Sequence, residues 1–237
     1  MDLKDKVAVI TGGSKGIGKA IAENLAMQGC DVVITARSGV DLEKAEREIS
    51  RIGRKVMPVA LDIRNSKEVE RLALTVEASF GPPSILINNA GIGTFAEVRN
   101  MRDEDFRAVL ETNLFGVFYC SRTFLPGMIE RKEGHIINIS SLASKNPFAG
   151  ASAYCASKAA LNAFAECMML EVRHHNVKVT TICPGSVKTE FGSGLSEEKS
   201  WALTSQDVAD VVLEVLQTSP GSLVSLVDLR PLKPQKK

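Results

Sequence analysis

No stretch of this chain approaches the roughly 18 consecutive apolar residues that a membrane span needs. The opening Met1-Asp2-Leu3-Lys4-Asp5-Lys6 runs straight into an apolar strand. It lacks the long apolar segment and small-residue cleavage site of a secretory leader, so a cytoplasmic protein is expected. An excess of one charge is missing too. At a net charge of +1 no basic stripe points to a nucleic acid or an acidic membrane as partner. The cysteines, Cys30, Cys120, Cys155, Cys167 and Cys183, are odd in number, and no two are spaced C-x-x-C. They read as reduced packing residues, neither a disulfide framework nor a zinc site. The histidines offer no metal site either. His174 and His175 are adjacent, which on a helix sends them in different directions, and His135 enters a strand. All three read as solvated or lightly packed, and no metal is expected. Internal repeats, low-complexity blocks and linkers are absent.

What is present is an ordinary globular composition, 44% hydrophobic and 24% charged over 237 residues, a length one α/β core can serve. Short β-branched runs alternate with amphipathic stretches. Strands are expected at 7–10, 31–35, 55–61, 84–87, 135–139, 177–182 and 223–229. Helices are expected at 16–28 (with Gly29 beyond its end), 42–52 (closed by Gly53), 66–80, 103–130, 151–174 and 206–217. Strand followed by helix, repeated, means parallel strands with right-handed crossovers, and strands apolar on both faces mean helices on both sides. The chain is therefore expected to be a single Rossmann-like, doubly wound α/β domain of about seven parallel strands. Ligands of such sheets bind beyond the carboxyl ends of the strands.

After the first strand comes Thr11-Gly12-Gly13-Ser14-Lys15-Gly16-Ile17-Gly18. Missing side chains there let backbone approach a pyrophosphate, and the next helix offers free N–H groups; a glycine-rich turn without a ligand is the plain alternative. The second strand ends at Ala36-Arg37-Ser38. Ala36 stands where an acidic residue would hold the ribose hydroxyls of NAD, whereas Arg37 and Lys15 suit the 2′-phosphate of NADP. After the third strand, Asp62-Ile63 offers a carboxylate for the adenine amino group or, equally, a loop cap. Asn88-Asn89-Ala90-Gly91 follows the fourth strand, with small residues on which a flat ring can lie. Ser140-Ser141 follows the fifth. On the helix after it Tyr154 and Lys158 are spaced i, i+4 and share a face. A phenol normally titrates near pH 10, and an ammonium beside it favours the phenolate, so a tyrosine tuned this way can exchange a proton with an alkoxide. Such a pair is also common on helices without any catalytic meaning.

Thr11-Gly12-x-x-x-Gly16-Ile17-Gly18, Asn88-Asn89-Ala90-Gly91, Thr112-Asn113, Ser141, Tyr154-x-x-x-Lys158 and Pro184-Gly185-x-Val187-x-Thr189 occur in one order, each after its expected strand. In these motifs, over residues 5 to about 190, the chain resembles the short-chain dehydrogenase/reductases. The resemblance implies an NADP(H)-dependent oxidoreductase acting on a small carbonyl or alcohol, either 3-oxoacyl-reductase-like or a general ketone and aldehyde reductase. It implies Tyr154 as general acid/base, Lys158 lowering its pKa and holding the nicotinamide ribose, and Ser141 bonding the substrate oxygen. It implies Asn113 holding a water that relays protons to Lys158. Gly12, Ser14, Lys15, Gly16, Ile17, Gly18, Arg37, Asp62, Ile63, Asn89, Ala90, Gly91, Pro184, Gly185, Val187 and Thr189 would line the cofactor with Tyr154 and Lys158. A non-catalytic NADP(H) sensor on the same fold is the alternative.

Two departures from the family pattern stand out. The chain ends in Leu223 to Pro231 and a basic tail, where many relatives carry a Gly-Gly segment at a tetramer contact. Only Lys132 and His175 stand near the places where carrier-protein reductases present cations. A substrate lid is expected over 189–205, with Phe191, Leu195 and Trp201 either flooring an apolar pocket or anchoring a loop, and a flexible tail over 231–237. A homodimer or homotetramer is expected through the helices at 103–130 and 151–174; Phe164, Met168, Met169 and Leu170 would serve core or dimer packing.

Overall fold

The computed structural model describes residues 1–191 and 200–233. Among these, seven strands form one sheet: β1 (Val7–Thr11), β2 (Asp31–Ala36), β3 (Val56–Ala60), β4 (Ile85–Asn88), β5 (Gly134–Ile139), β6 (Val177–Pro184) and β7 (Leu226–Leu229). Their order is β3-β2-β1-β4-β5-β6-β7, and every neighbouring pair is parallel. The helices are α1 (Gly16–Met27), α2 (Gly39–Ser50), α3 (Ser66–Phe80), α4 (Asp103–Leu110), α5 (Gly116–Arg131), α6 (Ser152–Val172) and α7 (Ser205–Leu216). The doubly wound Rossmann-like expectation is met.

The two-residue period of a strand divides its apolar side chains between two cores. Ala8, Ile10, Val32, Ile34, Ile85 and Ile87 pack against Ile21 and Leu25 of α1, Leu42 and Ile49 of α2, and Val212 and Leu216 of α7. Val7, Val9, Val33, Leu86, Ile136 and Val179 face the other way, onto Leu72 of α3, Phe124 and Met128 of α5, and Met168 and Met169 of α6. Burying each such side chain is worth about 1.5–3 kcal/mol, so both layers are held firmly. Pro58 is tolerated in β3 because that strand lies at the sheet's edge. From β3 the chain returns to place β4 on the far side of β1. The reversal opens a crevice at the carboxyl ends of β1 and β4.

Several expectations need correction. The stretch expected as one helix over 103–130 is α4 and α5 joined by a π-helical turn, Glu111–Phe115, in which Asn113 is fully buried. β7 starts later than expected, since the Val224 carbonyl is taken by the Thr180 hydroxyl (2.6 Å) instead of a strand ladder. His135 is buried, not lightly packed, and its Nε2 lies 2.8 Å from Thr180 Oγ1. Because that hydroxyl donates to Val224, the imidazole must donate to it. Burial, with Lys178 nearby, pushes its pKa down to about 3. His174 and His175 do not diverge: on the tight 3-10 turn after α6 their rings sit 3.9 Å apart. All five cysteines are free, but Cys167 is exposed and is no packing residue. Among the described residues no helix is long and apolar enough to cross a membrane.

Candidate active site

A cleft of about 1540 Å³ lies where β1, β4, β5 and β6 end. Its floor is backbone. Gly12 adopts φ +65°, and a Cβ there would sit 2.9 Å from the Ala90 Cα. A Cβ on Gly18 would sit 2.3 Å from the Gly12 carbonyl oxygen and 2.4 Å from Asn89 Nδ2. Asn89 fastens this close approach, donating from Nδ2 to the carbonyls of Thr11 (3.0 Å) and Gly12 (3.1 Å). Thr11 Oγ1 in turn accepts from the amides of Asn89 and Ala90, at 3.0 and 3.1 Å. At the start of α1, Lys15 supplies no side-chain cap and the first turn holds no acidic residue. The leading amides of α1 are thus left for a ligand, with the helix dipole favouring an anion.

Gly12, Ser14, Lys15, Gly16, Ile17, Arg37, Asn89, Ala90, Gly91, Pro184, Gly185, Val187 and Thr189 all line the cleft, as expected. Lys15 Nζ rests on Asp41 (3.0 Å) and Glu190 (3.5 Å), and chiefly the hydrogen bond to Asp41 raises its pKa. Arg37 lies beside Ser38, whose hydroxyl caps α2 by accepting from the Asp41 amide at 3.3 Å. A bare helix start, a backbone cradle without side chains and two cations form a donor set that fits a dinucleotide carrying an extra phosphate.

Four expected residues do not line the cleft. Gly18 packs beneath it. Asn113 is buried below Gly91, donating to the Ile92 carbonyl (2.9 Å) and Ser157 Oγ (3.0 Å) while accepting from the Ile92 amide (2.8 Å). Ile63 is a core residue packed on Gly116. Asp62 lines a separate shallow depression and is held by Arg64 at 2.6 Å, which, more than any other neighbour, lowers its pKa. Its Oδ1 also accepts from the Arg64 amide at 3.0 Å, so the carboxylate caps its own loop.

Ser141, Tyr154 and Lys158 converge on the cleft. Ser141 caps the 3-10 turn Leu142–Ser144, its Oγ accepting from the Ala143 amide at 3.1 Å. As a hydroxyl it can also donate its proton, and Tyr154 lies in its reach. Lys158 Nζ donates to the Ile139 carbonyl at 2.9 Å and lies 5.9 Å from the centre of the Tyr154 ring. Burial pushes the Lys158 pKa down to about 8. The Tyr154 phenol is shifted upward, mainly by burial, and the counteracting group is the Ser141 hydroxyl rather than Lys158. Lys158 is not among the groups that shift Tyr154, and its Nζ is bonded to the Ile139 carbonyl.

Sequence reasoning passed over three further contributors. Asn162, two turns beyond Tyr154 on α6, accepts from Ser140 Oγ (2.6 Å) and donates to Ser144 Oγ (2.8 Å). Ser144 in turn donates to the Ser141 carbonyl at 2.6 Å. Asn162 thus clamps both sides of Ser141 to the helix bearing Tyr154 and Lys158. Phe95 and Phe148 also line the cleft beside Tyr154. Asn162 continues the i, i+4 spacing of Tyr154 and Lys158 along α6, a signal that could have found it; no local pattern marks the two phenylalanines, which only the tertiary fold brings in. Of the expected lid residues, Phe191 and Trp201 line the cleft, whereas Leu195 lies outside the described residues, as do 192–199 and the tail at 234–237.

Known proteins agree with this geometry. A family model described as short chain dehydrogenase matches residues 6–200. The chain is 37% identical to the 3-oxoacyl-[acyl-carrier-protein] reductase of Vibrio cholerae over 206 residues, covering 87% of this chain and 83% of that protein. An uncharacterized oxidoreductase of Staphylococcus saprophyticus is 33% identical, covering 98% of this chain and all of its own. Among solved structures, a metagenomic short-chain oxidoreductase in complex with NADP superposes with a TM-score of 0.88 at 38% identity, covering 99% of this chain and 100% of that one. An alcohol dehydrogenase of Thermococcus sibiricus complexed with 5-hydroxy-NADP gives 0.91 at 29% identity, covering 98% and 99%.

Proposed function

Since the chain belongs to the short chain dehydrogenase family of oxidoreductases, we propose that it is an NADP(H)-dependent enzyme that interconverts a carbonyl and an alcohol, with Tyr154 as general acid/base. The observation that carries this is the convergence of Ser141, Tyr154 and Lys158 on the same cleft as the glycine-lined phosphate cradle. The bound nicotinamide supplies or accepts the hydride.

The chain's own residues do the rest. The amides at the start of α1 receive the pyrophosphate, Lys15 and Arg37 receive the 2′-phosphate, and Asn89, Ala90 and Gly91 present a flat surface to the ring. Ser141 gives its hydroxyl proton to the substrate oxygen as a hydrogen bond, stabilising the charge that develops there. Tyr154 delivers its proton to that oxygen. With its pKa raised by burial the phenol holds this proton firmly until an alkoxide, a far stronger base, forms next to it. Lys158, with a pKa near 8, is charged at neutral pH and holds the nicotinamide ribose. Asn113 braces the Ile92 loop against α6 and positions the water through which Lys158 exchanges protons with solvent. The expected test result is NADPH consumption with a ketone or aldehyde panel that Tyr154→Phe reduces by about 100-fold or more. Full turnover in that variant refutes the assignment.

The outer faces of α5 and α6 pair with a second copy of the chain in the cytoplasm. Phe115, Phe118 and Leu170 are exposed there, Phe118 lies edge-on to Phe164, and Arg122 sits 5.0 Å from the Phe118 ring centre. Light scattering at micromolar concentration is expected to give a dimer or tetramer mass; a monomer refutes the pairing.

A further inference from the structure

Only 5% of the chain is aromatic, with nine Phe, two Tyr and one Trp. Yet four of these rings collect at the reacting end of the cleft. Phe95 lies 5.9 Å from Tyr154 between ring centres, Phe191 lies 5.6 Å from Tyr154 on another contact, and Phe148 extends the row at 6.3 Å from Phe95. The rings arrive from separate segments, after β4, after β6 and before α6. Gly93 admits two of them, since a Cβ there would lie 3.1 Å from both Phe95 and Phe191.

Packing does not account for them. None of the three phenylalanines belongs to either sheet core, and they remain 48%, 54% and 43% exposed for Phe95, Phe148 and Phe191. Apolar rings that stay wet around a concave site mark a surface meant to be covered by a ligand. A flat ring fits this row better than a puckered one, because ring edges and faces prefer one another at these spacings.

Resting on the carbonyl-reductase reading above, we infer that the preferred substrates are aryl ketones and aryl aldehydes, with the aryl group seated against Phe95, Phe148 and Phe191. In the reduction, hydride from NADPH forms the new C–H bond at the carbonyl carbon. The C=O π pair becomes an O–H bond to the Tyr154 proton, leaving a benzylic alcohol and NADP⁺.

The test compares kcat/KM for acetophenone with cyclohexyl methyl ketone, and for benzaldehyde with cyclohexanecarbaldehyde, in the presence of NADPH. The expected preference for the aryl member is about tenfold, the scale of one or two ring contacts. Phe95→Leu and Phe148→Leu, which keep an apolar side chain but lose the ring, are expected to cut that ratio by about threefold or more each, with Tm held within about 2 °C as the check on folding. Equal rates for aryl and cyclohexyl pairs, or a ratio unmoved in both variants, overturns the inference while leaving the reductase reading intact. If no carbonyl compound of any kind is reduced, aliphatic aldehydes and a 3-oxoacyl thioester included, the reductase reading falls and this inference falls with it.

Discussion

Gly18→Ala sets two physical effects against each other. Inside a helix, alanine is favoured over glycine by about 1 kcal/mol, so local propensity alone says that the variant is stabilised. The added methyl, however, would meet the Gly12 carbonyl oxygen at 2.3 Å and Asn89 Nδ2 at 2.4 Å. Neither neighbour is free to yield. The Gly12 carbonyl sits on a loop at φ +65°, and Asn89 Nδ2 is spent on bonds to Thr11 and Gly12. Relief requires α1 to move off β1 or Asn89 to release the loop. Overpacking of this kind costs about 1–3 kcal/mol, and losing two hydrogen bonds about 1 kcal/mol each, which outweighs the propensity gain. For a domain of this size the net loss of about 2–4 kcal/mol lowers Tm by about 4–16 °C. Because the same displacement spoils the amide cradle, NADPH affinity should fall by about tenfold or more. Gly39→Ala is the control: it opens α2, and nothing lies within 4 Å of its Cβ. It should hold Tm or raise it slightly. Differential scanning fluorimetry with and without NADPH reads both quantities. A Gly18→Ala protein as stable as Gly39→Ala, with unchanged NADPH affinity, would show that the helix and loop are not packed as described.

Arg37→Asp is expected to reverse a preference for NADPH over NADH of about tenfold, or about 1.4 kcal/mol, in equilibrium binding; a variant that still favours NADPH removes Arg37 from the 2′-phosphate site. Asn162→Ala should lower kcat by about tenfold while NADPH affinity holds and the pH profile of kcat shifts, since Ser141 would no longer be fixed beside Tyr154; an unmoved profile and kcat would make Asn162 purely structural. His135 is neutral in the fold, with a pKa near 3 against an ordinary 6.5, so the unfolded chain binds the extra proton. Its contribution is fully present above pH 6.5 and is lost as the pH falls toward 3, at up to about 1.4 kcal/mol per pH unit. His135→Gln should flatten the acid side of the stability curve in urea titrations, and an identical acid slope would refute this.

The sheet was legible because it rests on short-range signals. Val7–Thr11 and its counterparts are apolar on both faces, and the glycines after β1 mark a turn that only backbone can fill. The cradle and the Ser141, Tyr154 and Lys158 convergence were readable because each follows a strand end and the doubly wound topology puts those ends together. Side-chain orientation was not readable. The pairing of Asp62 with Arg64, the turn of Lys158 toward Ile139 and the burial of His135 are settled by partners distant in the chain or by local hydrogen bonds with no sequence signature. The same holds for the π turn at Asn113, which breaks a helical period without a proline at the break. Phe95 and Phe148 meet the site only through tertiary folding, so they went unseen.

Turnover and binding measured together on Tyr154→Phe test the central claim most directly. The variant keeps the ring and removes only the hydroxyl. The expected outcome is NADPH binding close to that of the native protein with carbonyl reduction down by about 100-fold or more. Reduction at the native rate would contradict the assignment of Tyr154 as the proton donor, and with it the chemistry proposed for the cleft.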